Sequence, residues 1–170
     1  PSHHPCSWVE GVWVQGAHSA GAPVENVEKE GDVKARLLDS VEDAFAAFER
    51  LLTAIPLDRR FGGWTVREVI GHLASWTEAA ASGILEDLAG FPWHDEERDA
   101  FNGRARQQVL VESDAQLVQR YCAARTTLLA TLMSAPPAAL GPGSAAGEWA
   151  RGIVEHYMGH VARLEGKPAA

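Results

Sequence analysis

Apolar residues recur at steps of three and four over long stretches of the chain, and this helical periodicity most limits the possible folds. The first such stretch begins at Val33 and stops before Pro56, where proline removes a backbone donor and restricts the preceding residue. Its apolar positions are Leu37, Leu38, Val41, Phe45, Phe48, Leu51 and Leu52. No stretch alternates apolar and polar residues as a half-buried strand does. The sequence therefore predicts an all-α fold.

Two further helix starts are marked by capping boxes, in which a hydroxyl side chain and a residue three positions later satisfy each other's backbone donors. Thr65 with Glu68 opens the second helix, and Ser113 with Gln116 opens the third. A fourth periodic stretch follows a connection rich in proline, alanine and glycine. The predicted helices cover about 33–55, 65–90, 113–135 and 148–164.

Four amphipathic helices with one longer connection between the second and third predict a four-helix bundle. Within that connection, residues 91–112 begin with a proline turn, and residues 98–110 are compatible with a short extra helix. Residues 1–31 have no sustained period and are predicted to be a flexible, irregular tail. The expected domain organisation is therefore this tail followed by a bundle domain over residues 32–166.

The charge balance excludes several classes of partner. The 170-residue chain has 15 basic and 23 acidic side chains and a net charge of −8, which argues against nucleic acid and anionic membrane surfaces. No run of about 18 apolar residues and no secretory signal pattern is present in the sequence. Cys6 and Cys122 lie far apart, so neither a disulfide framework nor a CxxC motif is expected. These observations predict a cytoplasmic protein.

Three histidines are the candidate metal ligands. His156 and His160 are four residues apart on the last helix and therefore project from the same face. His72 falls between Val69 and Trp76 inside the apolar stripe of the second helix, where a polar ring needs a partner. One divalent cation would bridge all three and keep open coordination positions, as in catalytic zinc sites. Imidazole also suits nickel, copper and iron, so the identity of the metal stays open. The alternative is that these are core or surface histidines with ordinary hydrogen bonds.

Three sequence motifs lie on the predicted helices and their connection. They are the run from Gly63 to Leu73 followed by Trp76, the tetrapeptide Asp99 to Asn102, and the His156-Tyr157 pair with His160. With these motifs the segment from about Val33 to Leu164 resembles the DinB-like superfamily of small bacterial four-helix bundles. The resemblance implies that His72, His156 and His160 bind a metal, because members typically have one histidine on the second helix and an HxxxH pair on the last.

The resemblance also implies classes of function. Members include the N-terminal domain of mycothiol-dependent maleylpyruvate isomerase, bacillithiol transferases, and self-resistance proteins of the ClbS/DfsB type. We therefore expect a metal-dependent thiol transferase or hydrolase that acts on a small electrophile, with mycothiol or bacillithiol as cosubstrate. Trp76, one turn after His72, is a candidate wall of the pocket. Two alternatives stay open: a non-catalytic bundle that sequesters a small molecule, and an interaction bundle that forms a homodimer.

Overall fold

The computed structural model describes residues 24–86 and 95–166. Over these ranges the chain is almost entirely helical, which confirms the predicted all-α bundle. The helices are α1 (Val24–Leu52), α2 (Val66–Leu85), α3 (Asp95–Val111), α4 (Asp114–Ser134) and α5 (Ala145–Leu164). A hairpin of β1 (Arg60–Phe61) and β2 (Trp64–Thr65) precedes α2, and a 3₁₀ turn (Pro137–Leu140) precedes α5. None of the helices in the two described ranges is long and apolar enough to span a bilayer.

Helix α2 lies at the centre of the bundle, where it packs against α3, α4 and α5, while α1 packs mainly against α5. An aromatic cluster joins α1 to α5: the ring centroids of Phe45 and Phe48 lie 4.9 and 5.6 Å from that of Tyr157, both edge-on. The Tyr157 hydroxyl lies 2.9 Å from the Thr77 hydroxyl of α2. Because these contacts hold the side chain of Tyr157 in the core, they fix the rotation of α5 against α2.

Between the first two predicted helices the structure forms a β-hairpin with a two-residue turn. Arg60 pairs with Thr65 and Phe61 pairs with Trp64. Gly62 and Gly63 make the turn with φ angles of 56° and 88°, the left-handed conformations that a type I′ turn requires at both central positions. The hairpin places Trp64 two residues before Val66, the first residue of α2.

Both predicted capping boxes are confirmed, at the starts of α2 and α4. In the first, the backbone amide of Thr65 donates to the carboxylate of Glu68 at 2.7 Å. That carboxylate also accepts from Nε and Nη2 of Arg106 on α3, at 3.0 and 2.7 Å. Burial raises the pKa of the Glu68 carboxyl, but the bonds from Thr65 and Arg106 outweigh it and leave the pKa below its usual value. One residue therefore caps α2 and attaches α3 to it.

Helix α1 starts nine residues before the predicted helix, whereas the domain boundaries stay a prediction. The helix begins at Val24, so residues 24–31 are its first turns and not part of an irregular tail; residues 1–23 lie outside the described ranges. Residues 24–36 are mostly charged or helix-forming and contain no apolar stripe. A prediction based on buried periodicity therefore started the helix too late.

Other helix bounds also differ from the prediction. Helix α2 ends at Leu85, five residues before the expected end near Gly90, which itself lies outside the described ranges. The connection contains α3, a 17-residue helix with a mixed polar surface, longer than the short helix expected there. Helix α5 begins at Ala145 instead of Glu148, because the Ser144 hydroxyl accepts from the amide of Gly147 and so caps it earlier.

Cys122 is half-buried at the edge of the hydrophobic core. Cys6, the other cysteine in the sequence, lies outside the described ranges.

Candidate metal centre

The packing of α2 against α5 brings the three candidate histidines together. Nε2 of His156 lies 2.8 Å from Nε2 of His72 and 3.2 Å from Nε2 of His160. One ring nitrogen from each residue falls within 4.8 Å of the other two. His72 is only 5% exposed, and the two histidines of α5 are half-buried. The fold thus brings His72 and His156, which are 84 positions apart in the sequence, into direct contact.

Ordinary hydrogen bonding does not satisfy this cluster. Nε2 of His156 carries either one proton or one lone pair, so it can complete a good hydrogen bond with only one of its two neighbours. The second short contact of His156 Nε2 is then not a favourable hydrogen bond between neutral rings. A shared cation satisfies all three lone pairs at once.

The spacing also fits metal coordination. Bonds of about 2.0 to 2.1 Å place two ligand nitrogens about 3.3 Å apart in a tetrahedral site and about 2.9 Å apart in an octahedral one. The observed separations of 2.8 and 3.2 Å lie close to these values. Nδ1 of His72 is buried without a hydrogen-bond partner, so the acceptor that commonly supports a ligating imidazole is not supplied by the described residues. Three imidazoles provide three ligands and leave further positions for a substrate atom.

The imidazoles are neutral near pH 7, which is the form that binds a metal. Burial, followed by repulsion from His160 and Arg163, lowers the pKa of His72 to about 3. Burial, with repulsion from the other two histidines and Arg163, lowers the pKa of His156 to about 2. For His160 burial and Arg163 lower the pKa to about 4.

These pKa shifts predict that the metal-free protein becomes less stable as the pH falls. In the unfolded chain the imidazoles have a pKa near 6.5 and bind more protons than in the folded state, so stability is greatest above about pH 6.5. As the pH falls from there towards 4, the free energy of unfolding should drop by about 1.4 kcal/mol per pH unit for each imidazole that stays neutral. Denaturant titrations of chelator-treated protein measure this slope. A His72→Leu variant should show a shallower slope, and a flat profile between about pH 7 and 5 would contradict the prediction.

Two tryptophans form the walls beside His72. The rings of Trp64 and Trp76 lie 5.1 and 6.3 Å from the His72 ring, both edge-on. The indole Nε1 of Trp76 donates to Oδ1 of Asn102 on α3 at 3.0 Å, and the guanidinium of Arg106 lies 4.7 Å from the centre of the Trp64 ring. Each indole is therefore held in place by a residue of α3.

The histidines open into a cavity of about 990 Å³ between α2, α3 and α5. Its apolar lining includes Trp64 and Trp76, and the charged residues that line it within the described ranges are Arg98, Glu155 and Arg163. Among the described residues that line this cavity there is no cysteine. A volume of this size suits a small organic ligand.

The central helix and the last helix of this all-α bundle bring three imidazoles together beside a cavity. This arrangement defines a class of helical proteins with a candidate metal centre. The family model of the DinB superfamily matches residues 37–164, which is more than half of the chain. The chain therefore belongs to the DinB superfamily. Searches of the curated proteins and of the solved structures give no significant match to it.

The sequence motifs assign no role to two cavity residues. Asn102 belongs to the tetrapeptide Asp99 to Asn102, and the structure shows that it fixes Trp76. Arg163 lies three residues after His160 and seven after His156 and therefore shares their face of α5. This spacing is the signal that would have found it.

Proposed function

We propose that the protein is a metal-dependent enzyme in which His72, His156 and His160 hold one divalent ion and the adjoining cavity holds a small electrophilic substrate. The observation that supports this most directly is the convergence of three Nε2 atoms at the inner end of a cavity of about 990 Å³. Zinc and nickel both suit three imidazole ligands.

When bound, the ion would acidify a coordinated water or thiol. The favoured reaction is thiol transfer from a low-molecular-weight thiol such as mycothiol or bacillithiol, because no described cavity residue is a cysteine nucleophile. In that reaction the thiol sulfur forms a bond to the electrophilic carbon, the leaving group departs with its bonding electrons, and the thiol proton passes to solvent. Hydrolysis of the same substrate follows if water replaces the thiol.

The chain's own residues bind and orient the reactants. Trp64 and Trp76 cover the apolar side of the cavity and keep bulk water away from the histidines. Asn102 keeps the Trp76 ring in position through its hydrogen bond. The neutral imidazoles contribute no charge of their own, so the charge of the site would come from the ion and from the arginines beside it.

Metal analysis of the untagged, full-length protein tests this proposal. Elemental mass spectrometry after dialysis against zinc or nickel should find about one ion per chain. The loaded protein should accelerate the reaction of mycothiol or bacillithiol with an aryl chloride such as 1-chloro-2,4-dinitrobenzene, and a chelator should remove the acceleration. The matched control is a Met158→Ala variant, since Met158 is exposed on the same helix.

Absence of stoichiometric metal would contradict the enzyme proposal. If such a metal-free protein still bound an apolar ligand in the cavity, the non-catalytic sequestration module would become the better hypothesis. The expected homodimer stays a prediction that sedimentation of the same sample can test.

A further inference from the structure

Helix α5 presents a third polar group in line with its two histidines. His156, His160 and Arg163 occupy positions i, i+4 and i+7, which lie on one face of an α-helix on successive turns. All three line the same cavity. Arg163 is exposed and lies near the end of α5, so its side chain extends from the helix beside the mouth of the cavity.

Arg163 forms no salt bridge with a carboxylate among the described residues. Six other arginines do; they are Arg36, Arg67, Arg106, Arg120, Arg125 and Arg151. Arg163 lies one turn beyond His160 on the same face of α5 and lines the same cavity as the three imidazoles. Its guanidinium is therefore available to a ligand that reaches the histidines.

The charges of the cavity select the class of ligand. Among the described residues that line it, Arg98 and Arg163 face one acidic residue, Glu155, in a chain whose net charge is −8. A guanidinium presents a planar set of donors that matches the two oxygens of a carboxylate. Glu155 disfavours a multiply charged anion, whereas a monoanion is balanced by one arginine.

We propose that the substrate or cosubstrate is a carboxylate monoanion whose acid group is bound by Arg163 while its reactive atom faces His72, His156 and His160. This inference rests on the proposed function, which supplies the reactive centre. It assigns Arg163 as a specificity-determining residue and names the chemical class that the cavity prefers. Neutral analogues of the same size should enter the cavity but bind more weakly.

A pair of small thiols tests the inference. The probes are 3-mercaptopropionate and its neutral isostere 3-mercaptopropionamide, which present the same sulfur and differ only in the acid group. Cobalt(II)-loaded protein reports their binding through the sulfur-to-cobalt absorption band. In the unmodified protein we expect the acid to bind about tenfold more tightly than the amide, the ratio typical of one added charge-assisted hydrogen-bonding pair.

Arginine variants decide whether Arg163 causes the preference. In Arg163→Gln the acid-to-amide ratio should fall to about two or less while the affinity for the amide is unchanged, and Arg163→Lys should retain part of the ratio. Arg50→Gln, which removes the same charge from an exposed position of α1, is the control and should retain the full ratio. If Arg163 only stabilised the C-terminal end of α5, Arg163→Gln would change the thermal stability but not the acid-to-amide ratio.

The outcomes separate the two proposals. Failure to load cobalt would contradict the proposed function. In that case the acid-to-amide ratio is measured on the metal-free protein, through quenching of its tryptophan fluorescence by each probe. Cobalt loading with equal affinity for both probes, or a preference that persists in Arg163→Gln, would overturn the assignment of Arg163. A preference that depends on Arg163 in either form of the protein supports it.

Discussion

Replacing His156 with alanine should lower the affinity for zinc by at least about a hundredfold, which corresponds to about 2.7 kcal/mol of binding free energy. The reason is the central position of this residue: its Nε2 is the atom that lies 2.8 Å from His72 and 3.2 Å from His160. Without it, two outer imidazoles remain, and a two-ligand site holds a divalent ion far less tightly. Isothermal titration calorimetry near neutral pH measures the change.

The fold should survive this substitution, because the core contacts of α5 are made by other residues. Tyr157 packs against Phe45 and Phe48, and Trp149 is 2% exposed. Helical circular dichroism should therefore match that of the unmodified protein. Met158→Ala, on the exposed side of the same helix, should bind zinc normally. An unchanged zinc affinity in His156→Ala would show that the three imidazoles are not the ligands.

The bundle was predictable because its buried helix faces are regular. Val41, Phe45 and Phe48 recur at helical spacing and are fully buried, and the two capping boxes fixed the starts of α2 and α4. The early turns of α1 and the two ends of α3 were missed for the opposite reason. Their sequences are mainly polar and contain no apolar stripe to detect.

The candidate site was only partly predictable from the sequence. The HxxxH spacing places His156 and His160 on one face, and the apolar surroundings of His72 made it unusual, so the three ligands could be selected together. The cavity depends on distances between helices that no local pattern specifies. The contacts of Asn102 and Arg106 with the two tryptophans come from α3, whose position follows from tertiary packing and from the bond to Glu68.

The second large effect should appear at Gly83 of α2, which packs against Trp149 of α5. A Cβ atom there would lie 2.5 Å from Cε2 and 2.6 Å from Nε1 of Trp149. The indole is rigid and buried, so it cannot move aside. We expect Gly83→Leu to lower the free energy of unfolding by about 3 kcal/mol or more, at the upper end for overpacked cores. The corresponding fall in Tm is roughly 6 to 12 °C for a domain of this size.

Gly103 provides the matched control in α3. A Cβ atom at that position meets nothing within 4 Å, so Gly103→Leu should be neutral or stabilise the protein by up to about 1 kcal/mol through helix propensity. Equal losses of stability in Gly83→Leu and Gly103→Leu would contradict the close-approach explanation.

A double-mutant cycle tests whether the clash at Gly83 is with Trp149 itself. Gly83→Ala should cost about 1 to 2 kcal/mol in the unmodified protein but distinctly less in a Trp149→Phe background, because phenylalanine lacks the indole nitrogen and the fused ring atoms that a Cβ would meet. Since α2 carries His72 and α5 carries the other two histidines, the same contact sets the separation of the helices at the candidate metal centre. Zinc affinity should therefore fall with stability in Gly83→Ala and recover in the double variant, and an additive cycle would refute this coupling.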